Sequence, residues 1–201
     1  ILGRQNIYDG TWEKAPSMAW TFVPLSEYHG GGEAATLEPL KDHLDSYEAH
    51  MVQNYGSGVQ ACYRGPRLYD TERTKSLVIE QIEHYKKYRD ILNADIIHLR
   101  RPNGRSWDGF MHVNPNLKNK GFVMLFNPTE QTIEEELKIP LYYTGLTEEA
   151  VVSEKDKKSK KCVKRIRVKP CFSSCSLSFN TCSQQLLTSP ACKRNSSVIH
   201  L

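Results

Sequence analysis

The sequence has no run of roughly 18 apolar residues, so a membrane-spanning helix is not expected and no membrane partner is assigned. Its first residues, Ile1-Leu-Gly-Arg-Gln-Asn-Ile-Tyr-Asp-Gly10, lack both the basic-then-apolar pattern of a secretory signal and an initiator methionine. The missing methionine leads to the expectation that further sequence precedes Ile1, and the compartment stays unassigned. Cysteine is present but poorly arranged for a metal. Cys62 and Cys162 stand alone, and Cys171, Cys175, Cys182 and Cys192 are separated by three, six and nine residues, which fits no standard zinc pattern and favours free thiols over disulfides. No metal and no cofactor are implied.

Charge of one sign is also scarce outside a single segment. Between Lys155 and Lys169 nine Lys/Arg face one Asp, while the rest of the chain is nearly balanced; the whole chain carries a net charge of +4. That segment carries no interleaved aromatics on which bases could stack, so a solvated loop and edge strand is expected there and no nucleic-acid partner. What remains is ordinary for a globular protein: 39% hydrophobic and 25% charged residues. A chain of 201 residues has room for one domain or two small ones, since folding units run to roughly 100–200 residues.

Hydrophobic patterning divides the chain into three parts. Ala19–Leu25 is a short apolar run bounded by turn-forming residues, the pattern of a strand buried on both faces. A glycine-rich corner follows, and Thr36 is placed to cap a helix with Glu38 and Pro39 in its first turn. Leu40, Leu44, Tyr47 and Met51 then mark one helical face, which ends near Gly56. Gly58–Tyr63 reads as a second strand, Arg64–Tyr69 as a loop, and Asp70 or Thr71 as the cap of a second helix whose stripe is Val78, Ile82, Tyr85 and Leu92. Two β/α units of this kind cannot cover a parallel sheet by themselves.

From Asp95 the pattern changes to short strands, 96–101, 109–113, 121–126 and 133–139, separated by Pro102-Asn103-Gly104, Asn114-Pro115-Asn116 and Asn127-Pro128. Turns at that spacing predict antiparallel neighbours. The domains read as 1–93, 94–170 and an irregular Cys/Ser-rich tail over 171–201.

Three blocks, Val23–Gly32, Gly58–Asp70 and Pro140–Leu146, resemble a group of bacterial and animal proteins related to α-galactosidase-like glycoside hydrolases. The resemblance spans roughly residues 5–155. It implies an α/β part followed by an all-β part: the last two β/α units of a (β/α)8 barrel, then a small antiparallel β-domain. It also implies that further strands complete this domain after Val168, a pattern from which the tail departs.

In such barrels chemistry sits on the loops at the C-terminal ends of the strands. That placement gathers Glu27, Tyr28 and His29 after the first strand with Arg64, Arg67, Tyr69 and Asp70 after the second. Carboxylate, imidazole, guanidinium and tyrosine groups bind sugar hydroxyls and stack on sugar rings, so these seven residues are the candidate substrate-binding set. Glycosidases use two carboxyl groups. Glu27 is a weak candidate for one, because the resemblance puts the catalytic pair on earlier strands. Asp70 reads more readily as a helix cap, and Arg64 or Arg67 reads also as a tie for the loop.

His29 followed by three glycines also suggests the oxyanion loop of an esterase, but no G-x-S-x-G elbow accompanies it; Tyr55-Gly-Ser-Gly-Val59 has the wrong spacing. His43 and His50 read as surface or packing residues, Trp107 as an interdomain contact or a sugar platform, and Asn195-Ser-Ser197 as a formal glycosylation sequon. Two functions follow as expectations. The parent chain is a carbohydrate-active enzyme hydrolysing O-glycosidic bonds, or the chain is a non-catalytic carbohydrate-binding or structural remnant of one. The chain alone is expected to be inactive and prone to self-association through unpaired sheet edges.

Overall fold

In a computed structural model of the chain, the described residues are 2–12, 20–26, 37–135, 137–146, 150–154, 157–161, 166–168, 174–181 and 199–200. Contacts divide the chain into two units, Ile1–Asn93 and Ala94–Leu201. The first contains helix α1 (Leu2–Thr11), strand β1 (Trp20–Pro24), a 3₁₀ turn (Leu40–Asp42), helix α2 (Leu44–Ser57), strand β2 (Gln60–Arg64) and helix α3 (Glu72–Leu92). β1 and β2 pair in parallel, with Phe22 opposite Cys62 and Pro24 opposite Arg64. Parallel neighbours need a long crossover, and α2 supplies it.

Helix α2 begins later than the sequence suggests. The helical stripe is read from Leu40, but Leu40 lies in the 3₁₀ turn and the α-helix starts at Leu44. Proline disfavours helical backbone in the residue before it, so a helix running through Glu38 and Pro39 is unfavourable. The apolar face survives the shift: Leu40, Tyr47 and Met51 are all buried, in one core with Val23, Leu25, Leu77 and Val78. Gly58 ends the helix in the left-handed region, φ +72°, with its N–H on the Tyr55 carbonyl. It therefore belongs to the helix stop rather than to the strand, as glycine commonly does there.

Helix α3 is capped by Thr71, whose hydroxyl accepts the Thr74 N–H while the Thr74 hydroxyl accepts the Thr71 N–H, a reciprocal capping box. Its buried set is Leu77, Val78, Tyr88, Ile91 and Leu92. The buried face is thus turned part of the way round from the expected stripe. Tyr85 is only half-buried, its ring tilted by 33° against Tyr55 at 5.4 Å and its hydroxyl donating to Asn93.

The second unit is built from strands β3 (Asp95–Arg100), β4 (Asp108–Val113), β5 (Gly121–Phe126), β6 (Ile133–Glu135), β7 (Ala150–Glu154), β8 (Lys157–Lys161), β9 (Ile166–Val168), β10 (Ser174–Thr181) and β11 (Ile199–His200), with a 3₁₀ turn at Leu141–Thr144. One antiparallel sheet has the order β3-β4-β5-β10-β7-β8, and a smaller mixed one the order β11-β9-β6. All six residues of β4 and all six of β5 are buried. The strands approach so closely that a Cβ on Gly109 would lie 2.4 Å from the Met124 carbonyl oxygen. Met111, Val113, Val123, Leu125, Trp107 and Leu146 form the core, flanked by Ile133, Leu137 and Ile139.

Two strand expectations are corrected. The strand read over 133–139 pairs only through Glu135; residues 137–140 are irregular, although Leu137 and Ile139 still pack on the core. The tail is not wholly irregular either. Ser174–Thr181 forms β10, inserted between β5 and β7, with Cys175 opposite Leu125 and Leu177 opposite Val123. The cause lies in the sequence: Ser174-Cys-Ser-Leu-Ser-Phe-Asn-Thr181 alternates polar and less polar residues with the period of a strand. A strand after Val168 is what the family resemblance implies. Among the described residues no helix is long and apolar enough to cross a membrane.

Candidate functional site

The C-terminal ends of the two parallel strands meet at Arg64. Its carbonyl oxygen accepts the N–H of Leu25 at 2.8 Å and of Ser26 at 3.4 Å, which ties the start of one loop to the start of the other. Gly65 makes this approach feasible, because a Cβ there would stand 2.6 Å from the Cβ of buried Leu25. Glu27, Tyr28 and His29, the candidates on the first loop, lie outside the described residues. The four on the second loop are described.

Arg67 and Asp70 are both engaged within the protein. Arg67 forms a two-pronged ion pair with Glu38, Nε to Oε1 at 3.2 Å and Nη2 to Oε2 at 3.1 Å. Hydrogen bonding to Glu38 raises the guanidinium further above its ordinary pKa. Asp70 accepts the Lys41 N–H at 3.0 Å through Oδ2 and the Thr74 hydroxyl at 2.9 Å through Oδ1. Loss of solvent pushes its carboxyl up, but these hydrogen bonds and nearby Arg67 outweigh that effect and hold it below the usual carboxylate range. A third tie joins them, from the Tyr47 hydroxyl to the Leu68 carbonyl at 2.8 Å.

The loop over 65–70 is therefore clasped to the segment from Glu38 to Tyr47 at three points. Arg64, the last residue of β2, and Tyr69 are the exposed candidates that take no part in the clasp, and Tyr69 carries the Lys75 ammonium 5.8 Å from its ring centroid. Sequence reading missed Glu38, Lys41 and Tyr47 as partners of the loop. Each lies more than twenty residues from its contact, and only the Thr71–Thr74 spacing is a local signal.

The tyrosines beneath the loop are core, not ligand groups. Tyr47 and Tyr63 meet edge to face at 6.3 Å, and burial pushes both phenols well above their ordinary pKa. Trp107 is likewise inside: its Nε1–H donates to Glu135 at 2.5 Å, and the Arg100 guanidinium lies 5.0 Å from its ring. That burial argues against a sugar platform. His43 precedes α2 rather than lying on it, with Nδ1 3.2 Å from the Leu37 and Pro39 carbonyls, while His50 Nδ1 lies 2.7 Å from the Ser46 carbonyl.

Comparison with solved structures places this arrangement. The chain is similar to the galactosidase domain of the α-galactosidase-sucrose kinase AgaSK, at 16% identity over 87% of the chain with a TM-score of 0.56. It is similar to the GH36 α-galactosidase AgaA from Geobacillus stearothermophilus, at 14% identity over 82% with a TM-score of 0.50. A Bacillus halodurans C-125 protein provisionally described as an α-N-acetylgalactosaminidase matches at 16% identity over 89% with a TM-score of 0.53.

The fold is that of part of these glycoside hydrolases. The chain spans only 23%, 22% and 42% of their respective lengths. No protein-family model and no curated protein matches the sequence. An α/β unit followed by a β unit is thus common to this chain and to carbohydrate-active enzymes.

Proposed function

We propose that this chain is the C-terminal portion of a glycoside-hydrolase-like protein whose parent hydrolyses O-glycosidic bonds. In this reading β1-α2 and β2-α3 are the last two β/α units of a (β/α)8 barrel, and the β-rich unit is the domain that follows it. The observation that carries the reading is the pair of parallel strands joined at their C-terminal ends through the Arg64 carbonyl. Active sites of such barrels collect at that end.

Within the site, Arg64 and Tyr69 on the second loop, with Glu27, Tyr28 and His29 on the first, contact the carbohydrate. Arg67 and Asp70 set the loop's position through Glu38, Lys41 and Thr74. The acid and the nucleophile or base come from other strands, with carboxyl groups roughly 5–5.5 Å apart for retention or 6.5–9.5 Å for inversion.

The test is an assay of the longest natural form of this protein on a panel of p-nitrophenyl glycosides that includes the α-galactoside and the α-N-acetylgalactosaminide. Release of p-nitrophenol, abolished when a strand-end carboxylate is replaced, is the expected result. Absence of turnover on every glycoside overturns the enzymatic reading, and the non-catalytic remnant takes its place.

A further inference from the structure

Helix α2 carries a polar residue within its inward stripe. Tyr47, Met51 and Asn54 follow one another at helical spacing and all three are buried, Asn54 with no exposed surface at all. Ser57, equally buried on the same helix, donates its hydroxyl to the Asn54 carbonyl at 2.9 Å. The Asn54 side chain has no such answer: among the described residues neither its Oδ1 nor its Nδ2 meets a hydrogen-bond partner. A side-chain amide offers two donor hydrogens and an acceptor oxygen. Burying all of them unmet costs a large share of the narrow margin by which a domain is stable.

A second unmet group stands beside it. The hydroxyl of Tyr63, on β2, is buried and likewise without a partner among the described residues. Burial, and then Tyr55, pushes this phenol above its ordinary pKa, while the Asn54 amide draws it down, so Asn54, Tyr55 and Tyr63 share one neighbourhood. They approach without closing a direct hydrogen bond at Asn54 or at the Tyr63 hydroxyl. Aromatic rings surround them, Tyr47 at 6.3 Å from Tyr63 and Tyr85 at 5.4 Å from Tyr55. Full burial also excludes the partners an exposed group finds, because a substrate, a second copy or a further strand cannot reach an amide with no exposed surface.

We propose that one water molecule is held here as part of the core, hydrogen-bonded to the Asn54 side chain and to the hydroxyls of Tyr63 and Tyr55. Water is the smallest ligand that both donates and accepts, and polar groups converging in an otherwise apolar interior are the condition under which proteins keep it. A bridge of this kind is nearly as favourable as a direct hydrogen bond. Tyr63 immediately precedes Arg64, so the water braces β2 from the helix side, next to the carbonyl that accepts the Leu25 and Ser26 N–H groups. The site stands whether or not the parent chain is a glycosidase.

The experiment is a pair of water-selective NOE and ROE spectra of the isotope-labelled full chain, read at the Asn54 side-chain amide protons. A water held in place gives peaks of opposite sign in the two spectra, whereas exchange of the amide itself with solvent gives the same sign in both. Opposite signs are expected. A neighbouring hydroxyl can relay the solvent signal, and two controls separate relay from a bound water. In Tyr63→Phe the peaks should persist, held by Asn54 and Tyr55; their loss overturns the proposal in favour of relay through the Tyr63 hydroxyl. On the unaltered chain, relayed peaks vary with pH because hydroxyl exchange is catalysed by acid and base, while peaks from a bound water should keep their intensity. A pH-dependent intensity therefore overturns the proposal even where the variant fails to fold. Peaks of the same sign, or none at the Asn54 amide, overturn it as well, and Asn54 then pairs directly with Tyr63 or the space between them is dry.

Discussion

In β2 of the parallel pair burial alternates from residue to residue: Gln60, Cys62 and Arg64 are exposed while Ala61 and Tyr63 between them are partly buried, and Trp20 of β1 is 71% exposed. In β4 and β5 of the other unit no such alternation exists, because both faces of both strands are buried. Strand sequence alone does not produce the contrast, since β1 is at least as apolar as β4. Parallel sheets normally have both faces covered. The exposed face of β1–β2 is thus the face that a barrel reading turns toward the barrel interior, away from the helices, whereas β4–β5 are buried on both faces.

The comparison can be broken by substitution. Leu125→Ala, at a fully buried site in β5, should cost about 2–5 kcal/mol in urea unfolding. Cys62→Ala, on the exposed face of β2, should stay within about 0.5 kcal/mol of the parent. Equal costs at the two sites would mean that the faces of the two sheets do not differ as described. A smaller effect is expected at the clasp, where Tyr47→Phe removes the hydrogen bond to the Leu68 carbonyl at a cost of about 1 kcal/mol.

Smallest is the contribution of Asp70, which is restricted to acid. Its folded pKa lies below the unfolded value near 3.8, so its stabilisation is present above that pH and is lost as pH falls through the folded value. Asp70→Asn should flatten the acid limb of the melting temperature and leave its slope near neutrality unchanged. An unaltered acid limb would remove Asp70 from the clasp.

How much of this was legible in the sequence depended on the range of the interaction. The turns between β3, β4, β5 and β6 were readable because each is local: Asn103, Asn114 and Asn127 accept backbone N–H groups two or three residues on through their own side chains. Composition placed the basic run at a sheet edge, which holds for β8, whereas β9 lies between β11 and β6. Strand β10 was not legible, because its short alternation, Cys175, Leu177 and Phe179 between serines and Asn180, sits in a serine- and cysteine-rich tail and its partner β5 lies about fifty residues earlier in the chain. The candidate site was half legible. Residue types made Arg67 and Asp70 candidates for substrate binding, with a loop tie as the alternative for Arg67, but their partners Glu38 and Lys41 lie 29 residues upstream, beyond any local pattern.

The place of β10 also sets an order of events during synthesis. β5 and β7 are both made before the strand that separates them, so each lacks its neighbour on that side until the ribosome has passed residue 181. Until then the nascent sheet holds two open borders, one of them beside Val123 and Leu125, and such borders attract other chains. A chain halted before Ser174 would therefore be expected to engage chaperones rather than to persist as a smaller version of the same domain.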